Sequence, residues 1–383
     1  MRFRHGILSA GVLAAMFLAG GGVTRAAEEG EGELPQVQLA LLLDTSGSMS
    51  GLIDQARQQL WKVVNEFATA KLAGKSPQLR VALYEYGNSG LDGANGYIRE
   101  IVPLTDDLDT ISEELFKLTT NGGSEHCGQV IDRAVKDLKW SEGERDLKCI
   151  FIAGNEPFTQ GPIDYREACK AAAEKGITVS TIFCGDHAEG LRTLWADGAR
   201  LADGSFMSID QNQAIVQIES PHDEELVRLS SELNETYVAY GKVEDREAAQ
   251  HRQVAQDVNA LNLSQQAAAM RCATKGGQFY NNASWDLVDA CKQNLVKLED
   301  LKEAELPAEL QKLSVDERKA FVEKKTNQRT ELQTRIAELS KQREVFVAEE
   351  LKKLAGSTSN TLDKAILDAV RVQCERKNYS FAN

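Results

Sequence analysis

The rhythm of hydrophobic and polar positions changes once the chain is past its middle. Val37 to Leu43 is apolar with one interruption, the pattern of a strand buried on both faces. From Leu52 to Leu72 the apolar residues fall at helical spacing: Leu52, Ile53, Ala56, Leu60, Val63, Val64 and Phe67. Further strands are predicted at Leu79–Tyr86, Tyr97–Val102, Cys149–Ala153, Ile177–Phe183 and Ser205–Ile209. Between them, helices are predicted at Asp106–Leu118, Gln129–Leu138 and Tyr165–Glu174, with a short one near Leu191. Strands alternating with helices of this length imply βαβ crossovers and an α/β domain with a doubly wound, mostly parallel sheet of six strands. Ligands of such sheets bind outside the carboxyl ends of the strands.

From about Gln217 helix formers take over, including the Ala- and Gln-rich stretch Glu247 to Ala273. Pro307 marks a break, and Ser314-Val-Asp-Glu317 is a capping box that opens a long charged helix towards Leu354. Leu332, Ile336, Leu339 and Phe346 form one apolar stripe, broken by Arg343. That stripe can pack on the core, on a neighbouring helix, or on a second chain as a coiled coil, although sustained heptads are absent. The expected organisation is a signal peptide over 1–26, a linker over 27–36, an α/β domain over 37–217 and a mainly helical region over 218–383, with the long helix at about 314–354. The signal rests on Arg2 and Arg4 before an apolar, glycine-rich span and small residues near Ala26. It makes the protein exported, periplasmic or secreted, with no membrane span after cleavage; an uncleaved anchor is the alternative.

Composition adds two constraints. A net charge of −14 argues against attraction to nucleic acid or anionic lipid and leaves a basic partner, a divalent cation or a well-solvated surface. Seven cysteines in an exported chain permit disulfides but leave at least one thiol over. Cys149 and Cys169 read as buried structural residues, and Cys127 as a helix-start Cys bridged to Cys184.

Candidate chemistry sits where the first strand ends, in Asp44-Thr45-Ser46-Gly47-Ser48. An acid and two hydroxyls at alternate positions can converge oxygens on one hard cation, with Gly47 letting the backbone turn. Here the sequence resembles the von Willebrand factor type A family, whose metal-ion-dependent adhesion site begins with DxSxS after its first strand. The resemblance covers roughly Val37 to Ile209 and implies a Rossmann-like sheet and a site for Mg²⁺, or for Ca²⁺ or Mn²⁺ in its place. In that family a Thr from a later glycine-containing loop and an Asp after the fourth strand complete the site. Ser124 of Asn121-Gly-Gly-Ser124 stands where the family has Thr, and Asn155 of Gly154-Asn-Glu156 stands where it has Asp, with Glu156 beside it as a substitute. The metal set so implied is Asp44, Ser46, Ser48, Ser124 and Asn155. An amide in place of a carboxylate keeps an oxygen but removes a charge, which lowers affinity for a divalent cation. The helical half has a weaker likeness to extensions of exported bacterial members, in segments such as Ser284-Trp-Asp-Leu-Val-Asp289.

Enzyme chemistry finds little footing. Glu125, His126 and Cys127 lie beside the same loop, yet adjacent residues rarely face each other and no orienting third group is evident. There is no GxxxxGK[ST], HExxH or GxSxG. Two readings remain. In the first, an exported binding or adhesion-type protein takes a protein partner whose acidic side chain completes the metal shell. In the second, a structural or assembly protein of the cell envelope works through its helical region, with the metal loop inert.

Overall fold

The computed structural model describes residues 34–72, 74–213, 215, 217–353 and 361–381. The expected signal over 1–26 and residues 27–33 of the expected linker lie outside them. The strands are β1 (Gln36–Asp44), β2 (Ala70–Leu72), β3 (Gln78–Tyr86), β4 (Ile98–Thr105), β5 (Leu147–Gly154), β6 (Thr178–Cys184), β7 (Phe206–Ile209) and β8 (Tyr379–Phe381). Six of them form one sheet in the order β4-β3-β1-β5-β6-β7, parallel throughout except for the antiparallel edge pair β3–β4.

β1 lies in the middle because Leu39 to Leu43 is an unbroken apolar run, and alternate side chains feed two cores. Val37, Leu39 and Leu43 pack on one face with Leu52, Trp61 and Phe67 of the helix Ser50–Ala68. Ala40 and Leu42 pack on the other with Val130 and Ile131 of the helix Cys127–Asp137 and Ala168 of Tyr165–Glu174. The six-stranded, doubly wound sheet of the sequence reading is therefore present. β1 pairs Asp44 with Tyr86 of β3 and Leu43 with Ala153 of β5, so three strand ends finish level. The chain order reverses at β1, which opens a crevice at those carboxyl ends.

Two details depart from the expectation. The helix predicted to reach Leu72 stops at Ala68, and residues 70–72 pair as β2 with β8. Ala70 and Leu72 alternate inward, which serves a strand once a partner exists, and that partner lies about 300 residues away at Tyr379–Phe381. The expected Cys127–Cys184 bridge is absent and both thiols are free. The two side chains belong to opposite faces of the sheet, Cys184 to the core of the Ser50–Ala68 helix and Cys127 to the other.

The C-terminal region is helical and packs back onto the α/β layers. The helix Leu362–Arg376 puts Ile366, Ala369, Val370 and Cys374 into the same core as β1. The long helix runs from Val315 to Lys353, and its capping box forms as written, with Glu317 accepting from Ser314 N at 2.8 Å and Ser314 Oγ accepting from Glu317 N at 3.4 Å. Its stripe packs within the chain: Leu332, Ile336 and Leu339 meet Leu226, Leu229 and Leu233. Arg343, which interrupts the stripe, donates from Nε to the buried Asp223 Oδ1 at 2.6 Å. The Ala- and Gln-rich stretch forms two helices, Val243–Leu263 and Gln265–Gly276, divided where the extended Ser264 caps the second through Ala267 N at 3.0 Å. Among the described residues no helix is long and apolar enough to cross a membrane.

Candidate metal site

β1 delivers Asp44 to the carboxyl edge, and the next residues are clamped there by backbone bonds. Thr45 N donates to Tyr86 O at 2.9 Å, and Thr45 O accepts from Asn121 N at 3.0 Å. Thr45 Oγ1 reaches Glu85 Oε2 at 3.1 Å. Asp44 is 1% exposed. Its Oδ1 accepts from Ser46 N at 2.7 Å, whereas its Oδ2 is buried with no hydrogen-bond partner.

The hydroxyls follow at alternate positions. Ser46 is buried, Ser48 is exposed, and their oxygens are 3.4 Å apart. Gly47 plays a different part from the one expected: its φ is not in the left-handed region. A Cβ there would lie 3.3 Å from Gly122 N, so the glycine serves close approach of two loops rather than a turn. Asn155, one residue past β5, donates from Nδ2 to Ser48 Oγ at 3.2 Å, and its Oδ1 is buried and unpartnered like Asp44 Oδ2. Asp44, Ser46, Ser48 and Asn155 thus gather at one point. Ser124 is half-buried on the Asn121–Ser124 loop, which the Asn121–Thr45 bond holds beside them, and its hydroxyl makes no hydrogen bond among the described residues. Glu156 is half-buried, and its Oε2 accepts from Gln160 Nε2 at 3.3 Å.

One residue that the sequence reading left out of the site stands inside it. Glu125 is 6% exposed, and Gly87, at φ +80°, leaves room for it. A Cβ on Gly87 would sit 2.9 Å from both Asp44 Oδ1 and Glu125 Cγ. The only hint in the sequence is position, next to Ser124 in a glycine-rich loop that leads into a helix.

The electrostatics follow from three acids in a dry corner. Burial pushes the Asp44 carboxyl up to about 6, Ser46 pulls it back through hydrogen bonding, and Glu156 raises it further. Burial, then Asp44 and Glu156, push Glu125 up to about 7. Two buried carboxylates, two buried oxygens without a partner among the described residues and two adjacent hydroxyls make a donor set suited to a hard divalent cation. Among the described residues no three His, Cys, Asp or Glu side chains are grouped to hold a metal by themselves. A cation here draws on hydroxyl and amide oxygen as well as carboxylate.

Cys127 and His126 do not form a dyad. Cys127 is fully buried with Sγ 3.9 Å from Tyr86 Oη, and burial together with Asp44 pushes its thiol well above the usual range. His126 Nδ1 instead lies 3.2 Å from Gln129 Oε1. The open space on this edge is a cavity of about 350 Å³ at the ends of β6 and β7, lined by Cys184, Asp186, Asp210 and Gln211 among others.

Comparison with known proteins places these features in context. The family model of the von Willebrand factor type A domain matches residues 38–252. No curated protein matches the sequence. Solved structures that resemble it include the conserved hypothetical protein BatB from Bacteroides thetaiotaomicron, 19% identical, covering 45% of this chain and 90% of that one at a TM-score of 0.34. The SpRpn10 VWA domain is 15% identical over 48% of this chain and 100% of that one, at 0.35. Proximal thread matrix protein 1 from the mussel byssus, with a zinc-occupied MIDAS motif, is 12% identical over 46% and 42% of the two chains, at 0.33.

Proposed function

Because this chain belongs to the von Willebrand factor type A domain family, we propose that it is a protein-binding module whose contact point is a divalent cation at the carboxyl edge of the sheet. Domains of this family are generally interaction modules rather than enzymes. Asp44, Ser46, Ser48, Ser124 and Asn155 hold the ion, Mg²⁺ or in its place Ca²⁺ or Mn²⁺. The observation that carries the reading is the pair of buried oxygens without donors, Asp44 Oδ2 and Asn155 Oδ1, beside two hydroxyls. When bound, the cation supplies positive charge at a surface point and an open position that an acidic side chain of a partner fills. The chain's own residues do the rest: the backbone clamps on Thr45 hold the loop, and Ser48 and Asn155 orient each other. The sequence of residues 1–26 supports a working place outside the cytoplasm, periplasmic or secreted.

The test is calorimetric titration of Mg²⁺ and Mn²⁺ into the chelator-stripped full chain. Wild type should bind with an affinity on the order of micromolar to millimolar, and Asp44→Ala should show no heat. Glutarate, as a surrogate for a partner carboxylate, should then bind the metal-loaded wild type and not Asp44→Ala. Silence of the wild type at millimolar metal would sink this reading.

One observation favours a second reading, an assembly role for the helical region. Val254, Val258 and Leu261 are each nearly half exposed and share one face of the helix Val243–Leu263. If metal binding is silent, that face is where interaction should be sought.

A further inference from the structure

We infer that Glu125 is a further ligand of the cation at this site, supplying the second carboxylate that Asn155 does not. The inference rests on the metal reading above and adds to it a residue outside the expected set.

The argument starts from charge. With Asn155 in place of an acid, the expected set holds one formal negative charge, Asp44, and ligand charge is one of the terms that sets divalent-cation affinity. The structure brings a second acid to the same place from a different loop. Asp44 lies between two glycines: Oδ2 is 3.0 Å from where a Cβ of Gly154 would be, and Oδ1 is 2.9 Å from where a Cβ of Gly87 would be. Glu125 Cγ approaches the Gly87 position to the same 2.9 Å, so Asp44 and Glu125 crowd one point that only a glycine at 87 leaves open. Ser46 is buried beside them, and its backbone N–H donates to Asp44 Oδ1 at 2.7 Å.

A cluster of acids alone does not make a site. Here the independent sign is Asp44 itself, 1% exposed, with an Oδ2 that has no hydrogen-bond partner among the described residues. Two buried carboxylates crowding one point repel each other when ionised and have lost most of their hydration. A divalent cation relieves both costs at once.

Glu156 is the rival, since it also acts on both carboxyl groups. Two features set it apart. Its Oε2 is already engaged by Gln160 Nε2, and it is half-buried where Glu125 is buried.

The test is Mn²⁺ titration of the full chain by calorimetry, comparing wild type, Glu125→Gln, Glu156→Gln and the double variant Glu125→Gln/Asn155→Asp. Loss of a carboxylate ligand should weaken Mn²⁺ binding by about tenfold or more in Glu125→Gln, against less than about threefold in Glu156→Gln. The double variant, with its carboxylate moved to position 155, should recover most of the loss. Glutamine is close to isosteric with glutamate. Should Glu125→Gln nevertheless fail to fold, Glu125→Asp, a carboxylate set back by one methylene, should weaken binding in the same direction. Wild-type affinity in Glu125→Gln, with binding abolished in Asp44→Ala, would overturn this assignment and leave the metal reading standing. A tenfold loss in Glu156→Gln alone would give the second carboxylate to Glu156. No binding by wild type would overturn the metal reading and Glu125's part in it together.

Discussion

Replacing Arg329 by Met should cost this protein about 3–5 kcal/mol of stability, a range set by breaking a buried ion pair. Arg329 lies on the long helix Val315–Lys353 and is 4% exposed. All of its donors are used: Nε to Thr236 Oγ1 at 3.0 Å, Nη1 to Asp286 Oδ2 at 2.6 Å and Asp289 Oδ1 at 2.8 Å, Nη2 to Thr236 O at 2.8 Å and Asp286 Oδ1 at 3.2 Å. The guanidinium also stacks over Tyr237, 4.2 Å from the ring centroid. Methionine keeps the stem and removes the charge, so Asp286, fully buried, faces Asp289 with nothing between them but backbone donors. Burial and Asp286 already raise the Asp289 carboxyl, and Arg329 is what lowers it. The assay is the urea midpoint by far-ultraviolet dichroism, with Arg228→Met as control. Arg228 pairs with Glu225 and Glu232 on an exposed face, where solvent screens the pair, so its loss should leave the midpoint close to that of wild type. Adding Asp286→Asn and Asp289→Asn to Arg329→Met should return part of the stability. If Arg329→Met unfolds where Arg228→Met does, the long helix does not dock through this cluster and the account is refuted.

Two more outcomes follow from the site. Asp44 and Glu125 have folded-state pKa values raised to about 6 and about 7, so the folded state holds their protons longer than the unfolded chain does. Their contribution is complete below about pH 4 and is lost as pH rises through about 6 to 7, so the metal-free urea midpoint should fall over that window relative to an Asp44→Asn/Glu125→Gln variant. Saturating Mn²⁺ should flatten the fall, and parallel curves for wild type and variant would count against the geometry. As for the cysteines, six of the seven thiols are buried, and only Cys291 is partly exposed. A thiol reagent should therefore label Cys291 in the native chain and the rest only after unfolding, as read by mass spectrometry, and fast native labelling of Cys127 would contradict its place beneath the site.

The division between sequence and structure runs through particular residues. The run Val37–Leu43, apolar but for Gln38, reads as a strand covered on both sides, and a strand so covered in an alternating chain belongs near the middle of a parallel sheet. Asp44, Ser46 and Ser48 were legible because the spacing of a loop leaving that strand is local, as was the capping box at Ser314. Asn155 and Ser124 are expected there from the order of strands and loops, and the structure brings Asn155 within hydrogen-bond reach of Ser48.

What lay out of reach was set by juxtaposition across long separations. Ser124 and Glu125 are neighbours, and how each lies towards Asp44 depends on how the Asn121–Ser124 loop lies against Thr45 and on the room that Gly87 leaves. The pairing of β2 with β8, the opposite faces of Cys127 and Cys184, and the guanidinium of Arg329 between two aspartates depend equally on partners far along the chain. By itself the sequence determined the α/β alternation, the buried central strand and the oxygen-rich loop at its end, because periodicity and spacing act over a few residues. Only the tertiary structure decided which acids share the crevice and which charges are buried, because desolvation and charge pairing depend on distance in space and not on distance along the chain.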